Sequence, residues 1–135
     1  MVKLSAEEAR ALRLRAQGLQ PQYPREKLVE AVGAVVGIQA QLASAMQLAL
    51  RARINGLTLK DVNEAVGESR SLVRSWLMRG TLHLIPSDDL YWINALLSPT
   101  LIVKGKGRRA QLGLDDETAA KGLKAIREIL SDGEP

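Results

Sequence analysis

A mainly α-helical fold with one small β-sheet is what this sequence predicts, on three observations. Apolar residues recur at helical spacing through most of the chain. The stretch Ser71–Pro86 departs from that period and alternates as two extended runs around Arg79-Gly80. Ile38-Gln39-Ala40-Gln41 lies between two helical patterns and is too short to be a helix itself.

The elements follow in order. Ser5 opens the first helix, and Glu8 completes a capping box with it. Ala9, Leu12, Ala16 and Leu19 share one face of that helix, with Arg10, Arg13 and Gln17 on another. That basic stripe is either a solvated face or a phosphate contact. Gly18 and Pro21 end the helix. Pro24 suits the first turn of a second one, whose apolar side is Leu28, Val32, Val35 and Val36, with Gly37 as its C-terminal cap. Ser44 is expected to cap a third helix running to about Ile54, with Met46, Leu50 and Ile54 inward. Thr58 caps a short fourth, with Leu59, Val62, Ala65 and Val66 inward, and Gly67 stops it.

The hairpin comes next. If its loop is the two residues Arg79-Gly80, Leu77 faces Leu82 and Trp76 faces His83. Val73, Leu77, Leu82 and Leu84 then share one face, and Arg74, Trp76, Thr81 and His83 the other. Ser87 is expected to cap a further helix with Leu90, Ile93 and Leu97 on one side, ended by Pro99. The run from Lys104 through Lys106 to Arg108 and Arg109 is glycine-spaced and free of acids, and reads as an exposed linker. Asp115 caps a last helix carrying Ala119, Leu123, Ile126 and Leu130, and a turn signal follows at 133–135. Helix, short strand, helix, helix, strand, turn, strand is the order of a winged helix-turn-helix with the hairpin as its wing. The expected division is a winged-helix module with its N-terminal helix over 1–97, then a basic linker and the first helix of a second module over 98–135.

Composition narrows the function classes. The 135 residues suffice for one modest domain with a core. Aromatics make up only 3%, with no phenylalanine, so that core is aliphatic. A net charge of +4 is compatible with an anionic partner such as nucleic acid. The absence of cysteine excludes disulfides, thiolate metal sites and a cysteine nucleophile. No apolar run is long enough to span a bilayer and no signal-peptide core opens the chain, so the expected compartment is the cytoplasm.

The inventory for chemistry is short. His83 is the single histidine, and no His/Glu spacing suits a metal; no phosphate loop or dinucleotide fingerprint occurs. Asp88-Asp89 and Asp115-Asp116 sit where helix dipoles favour acids. Gln39 and Gln41 stand out. In an extended piece alternate residues point the same way, so both amides project from one face. Such a pair can hold a water, read a base edge, line a polar cavity, or satisfy backbone groups at a helix junction. Arg74 and Arg79 are placed to touch phosphate or to be solvated.

At these residues, VVGIQAQ at Val35–Gln41 and SWLMRGTLHLIPSDDL at Ser75–Leu90, the chain resembles the winged-helix DNA glycosylase family. Known members excise alkylated bases and unhook interstrand crosslinks, including those of azinomycin. The resemblance implies tandem winged helices and a β-barrel in a chain far longer than this one, of which this would be the N-terminal piece. It also implies a Gln-x-Gln or Gln-x-Asp motif in the active site, and Gln39 and Gln41 match the first form. The implied enzyme is a monofunctional glycosylase, since no lysine stands in the motif, with duplex DNA as partner and no cofactor or metal. Arg74, Arg79, Thr81, His83, Lys104, Lys106, Arg108 and Arg109 are the expected DNA contacts. The rival expectation is a non-enzymatic winged-helix DNA-binding regulator that inserts Thr58–Val66 into the major groove. Lys60 is the only basic residue there, and Asp61 and Glu64 would repel phosphate.

Overall fold

The computed structural model describes residues 3–131. The turn expected at 133–135 lies outside them. Six helices and one three-stranded sheet follow the predicted order. They are α1 (Ala6–Ala16), α2 (Leu28–Ala34), β1 (Ile38–Gln39), α3 (Ala43–Arg51), α4 (Leu59–Asn63), β2 (Leu72–Leu77), β3 (Thr81–Pro86), α5 (Leu90–Gln111) and α6 (Asp116–Ser131). The sheet is antiparallel with order β1-β3-β2, so the short first strand pairs with the second strand of the wing hairpin. The chain divides into two compact units, Met1–Ser98 and Pro99–Pro135.

The first unit holds the buried core. Leu28, Ala31 and Val32 of α2, Met46 and Leu50 of α3, and Val62 of α4 pack on Ile38, Leu72 and Leu84. Those last three lie on one face of the sheet. Leu77 and Ile85 lie on the opposite face and pack with Ile93 at the start of α5. The sheet is thus a thin layer covered on both sides, which is how so short a sheet becomes stable.

The hairpin departs from expectation in register. Leu77 pairs with Thr81, Trp76 with Leu82 and Ser75 with His83, so the loop is Met78-Arg79-Gly80, one residue longer than expected. Met78 and Gly80 both take positive φ, 50° and 79°, and the Gly80 amide donates to the Leu77 carbonyl at 3.0 Å. A shift of one residue turns every side chain of a strand over. Leu82 and Leu84 therefore leave the face of Leu77, and Thr81, His83 and Ile85 join it.

Four helix ends also differ. Leu42, not Ser44, occupies the N-cap of α3, and the helix stops at Arg51 rather than Ile54. The Ser87 hydroxyl caps no helix; it donates to the Arg70 carbonyl from a short turn before α5. The largest change is in α5, which runs through Pro99 and the basic run without a break. The expected linker is helix. Proline there removes only the bond to the Ala95 carbonyl, which sits on an exposed turn where water can take its place. What ends the helix is Gly113, at φ 73°, with Gly113 and Leu114 amides donating to Ala110 and Arg109 carbonyls.

Not every predicted apolar stripe is buried. No residue of α1 is buried, and Leu59 is exposed. In the second unit no described residue is buried, so Leu123, Ile126 and Leu130 of α6 face outward. No described helix is long and apolar enough to cross a membrane.

Candidate active site

The site begins with how α2 ends. Val36 takes φ 58°, the left-handed conformation, and its amide donates to Gly33 while the Gly37 amide reaches back to Val32. The sequence had assigned that capping role to Gly37, but the left-handed cap is a β-branched residue, which is strained there. Gly37 is needed one step later. It lies at φ 107°, and a Cβ on it would meet Ile85 Cγ2 at 2.7 Å and the Leu84 carbonyl at 3.1 Å. This sharp exit feeds the chain into β1.

In β1 the alternation is clean. Ile38 and Ala40 are buried, Gln39 and Gln41 exposed. Ala40 anchors the strand beside Ile38, Leu42 is exposed, and the Ala40 amide donates to the Leu82 carbonyl at 2.8 Å. Both glutamines do project from one face, since Gln39 Nε2 donates to Gln41 Oε1 at 2.8 Å. That bond leaves Gln39 Oε1 as an acceptor and the Gln41 amide nitrogen as a donor for a ligand.

The observed register brings the histidine to this pair. Gln39 is directly opposite His83 across the β1–β3 ladder. His83 Nδ1 lies 3.0 Å from the Thr81 carbonyl, which can only accept, so this contact favours the tautomer with the proton on Nδ1. In the neutral ring Nε2 is then a free acceptor. Gln39, Gln41 and His83 line one cleft of about 650 Å³ together with Gln17, Arg53 and an apolar side that includes Leu42 and Ala49.

Arg53 is the member that sequence reasoning missed. It follows α3, and its Nη1 donates back to the Ala49 carbonyl at 2.8 Å. The Tyr23 amide donates to the Arg53 carbonyl, and the Asn55 amide to that of Tyr23, so the segment after α1 is tied to the end of α3. A Cβ placed on Gly18 would lie 3.5 Å from the Tyr23 ring and 3.9 Å from Arg53 Cγ. A lone arginine after a helix gives no sequence signal beyond a favourable charge at the helix end.

The other expected contacts are scattered. Arg74 points from the opposite face of β2 into a separate groove with Arg70 and Val66. Arg79 is exposed at the hairpin tip, and Thr81 serves as the acceptor for His83. Lys104, Lys106, Arg108 and Arg109 belong to the second unit. Being helical, they form no single stripe: Lys104 and Arg108 are one turn apart, while Lys106 lies 3.6 Å from Asp116 and Arg109 donates to the Ile102 carbonyl. Electrostatic shifts lie elsewhere again. The carboxyls of Glu8, Asp61 and Asp115 are held below their ordinary values mainly by hydrogen bonds from Ser5, Thr58 and Thr118 at helix starts. Among the described residues no cluster of histidine and carboxylates could hold a metal ion.

A family model described as DNA glycosylase AlkZ-like matches residues 32–135, leaving α1 outside the match. An interstrand DNA cross-link repair glycosylase of Streptomyces sahachiroi is 35% identical over 88 residues, 64% of this chain and 23% of the relative. The solved structure of Streptomyces sahachiroi DNA glycosylase AlkZ superposes with a TM-score of 0.57 at 33% identity. That match covers 66% of this chain and 24% of the other. The chain thus spans about a quarter of the length of the relatives it matches.

Proposed function

Because the chain belongs to the AlkZ-like DNA glycosylase family, we propose that it is the part of a DNA repair glycosylase that carries the paired catalytic amides. The substrate is an alkylated base in duplex DNA, or one end of an interstrand crosslink. The observation that carries the reading is the hydrogen bond of 2.8 Å from Gln39 Nε2 to Gln41 Oε1, between two residues that line a cleft. A purine alkylated at N7 is cationic and already a good leaving group. A water held by Gln39 Oε1 and Gln41 Nε2 attacks C1′ as the bond from C1′ to the base breaks. The electron pair of that bond neutralises the departing base, and the attacking water releases a proton to solvent. Two neutral amides suffice because they position the water and need not deprotonate it strongly. The enzyme is monofunctional, since no lysine lines the cleft among the described residues. Pro99–Pro135 we read as the beginning of a second module.

The regulator reading is weaker. Its groove-reading helix would be the one that starts at α4 and continues in π-helical form to Glu68, and its Asp61 is committed to a capping box with Thr58.

The test is release of N7-alkylguanine from damaged duplex by the full-length protein. Gln39→Ala or Gln41→Ala is expected to slow release by about 10²-fold with DNA affinity unchanged, as loss of a positioning group does. Equal rates for both variants and wild type would sink the catalytic assignment.

A further inference from the structure

The cleft that holds the two amides contains a cation that base excision does not use. Arg53 is the one permanently charged side chain among the described residues lining it, and no carboxylate lines it. Its Nη1 has an acceptor in the Ala49 carbonyl, but Arg53 Nε is buried and has no partner. A buried donor without an acceptor is rare in a folded protein. Its backbone is tied down, since the arginine carbonyl accepts from the Tyr23 amide. The guanidinium is therefore tethered at Nη1 while its Nε edge is uncommitted.

Charge decides what such a group can face. An N7-alkylated base is cationic, so a guanidinium repels it. The same guanidinium attracts a phosphodiester, and the edge formed by Nε and its neighbouring Nη grips two phosphate oxygens side by side. We propose that Arg53 binds a backbone phosphate flanking the damaged nucleotide, turning its Nε edge outward and so fixing C1′ over the Gln39–Gln41 pair. The cleft would then have two subsites, one neutral and amide-lined for the sugar and one cationic for the adjoining phosphate. This inference rests on the reading that damaged DNA enters this cleft, and not on the amides being catalytic.

The experiment uses full-length protein and a duplex holding a tetrahydrofuran abasic analogue. The phosphate on its 5′ or 3′ side is replaced by an uncharged methylphosphonate. Wild type is expected to lose about tenfold in affinity at one of the two positions, the size of a charge-assisted contact. Arg53→Met should show no loss at that position, and Arg53→Lys a partial one. Wild type indifferent to both replacements, or Arg53→Met losing as much as wild type, overturns the proposal. Should Arg53→Met fail to fold, the Nε–H resonance of Arg53 in wild type decides. It should move with the abasic duplex and not with an equal concentration of inorganic phosphate; no movement with duplex, or the same movement with both, overturns the proposal. Failure of the amide reading is separate: unchanged base release by Gln39→Ala would defeat catalysis while the methylphosphonate result still stood.

Discussion

Two adjacent residues, Val36 and Gly37, set the path into the site, and they respond to substitution in opposite ways. Gly37→Ala places a methyl 2.7 Å from Ile85 Cγ2 at φ 107°, where side chains are strained and the neighbours are core and backbone. A loss of about 2 kcal/mol or more is expected, read as a lower denaturant midpoint with an unchanged m-value. Val36→Gly removes a β-branched side chain from φ 58° at an exposed position. The strain relieved, about 1–3 kcal/mol, exceeds the entropy a glycine adds to the unfolded chain, about 1 kcal/mol. That variant should be as stable as wild type or more so. A Val36→Gly protein that unfolds more readily would show that the left-handed cap carries no strain.

Elements differ in what holds them. The start of α4 depends on a carboxylate: Asp61 accepts from the Thr58 hydroxyl and amide and pairs with Arg25 at 2.7 Å. Its folded-state pKa is depressed, chiefly by the Thr58 hydroxyl, so the protonated form is disfavoured in the fold. The stabilisation is complete above the ordinary value of 3.8 and is lost as pH falls through the lower folded value. The Tm advantage of wild type over Asp61→Asn should therefore be greatest near neutral pH and shrink below 3.8. An advantage that persists unchanged in acid would mean that the capping bonds do not need the charge. In α5 the burden is Pro99, which interrupts the hydrogen-bond ladder of an otherwise continuous helix. Pro99→Ala should raise helicity and stability, by up to ~3 kcal/mol. A fall in both would mean that proline's restriction of the unfolded chain outweighs the missing bond.

At the scale of the whole molecule, core and charge are divided unequally. Met1–Ser98 holds both buried clusters, whereas Pro99–Pro135 has no buried described residue and carries the basic run. Apolar burial is the main term that offsets chain entropy. A peptide covering 99–131 should therefore melt without a cooperative transition, as followed by circular dichroism. We also propose that the run adds phosphate contacts. Replacing Lys104, Lys106, Arg108 and Arg109 by alanine is expected to flatten the dependence of DNA affinity on log salt by about 0.9 per contact removed. Lys106 should contribute least, because Asp116 already lies beside it. An unchanged slope would leave the run as a solvated helix face.

Much of this arrangement is written in features that reach only a few residues along the chain. The caps at Ser5, Thr58 and Asp115 form because a side-chain oxygen meets an amide three residues on. The two amides on one face follow from a period of two. Tertiary structure decided what depends on closing distant parts. One extra loop residue at Met78 set the hairpin register and put His83 on the face of Leu77 rather than that of Trp76, while the separate β1–β3 pairing set His83 opposite Gln39. No local pattern separates a two-residue from a three-residue loop around Arg79-Gly80, because the choice depends on which faces the helices on either side can cover. Arg53 reached the cleft because Tyr23, thirty positions earlier by number, bonds to its carbonyl. Helix period and capping act within about one turn, so they carry no record of that meeting.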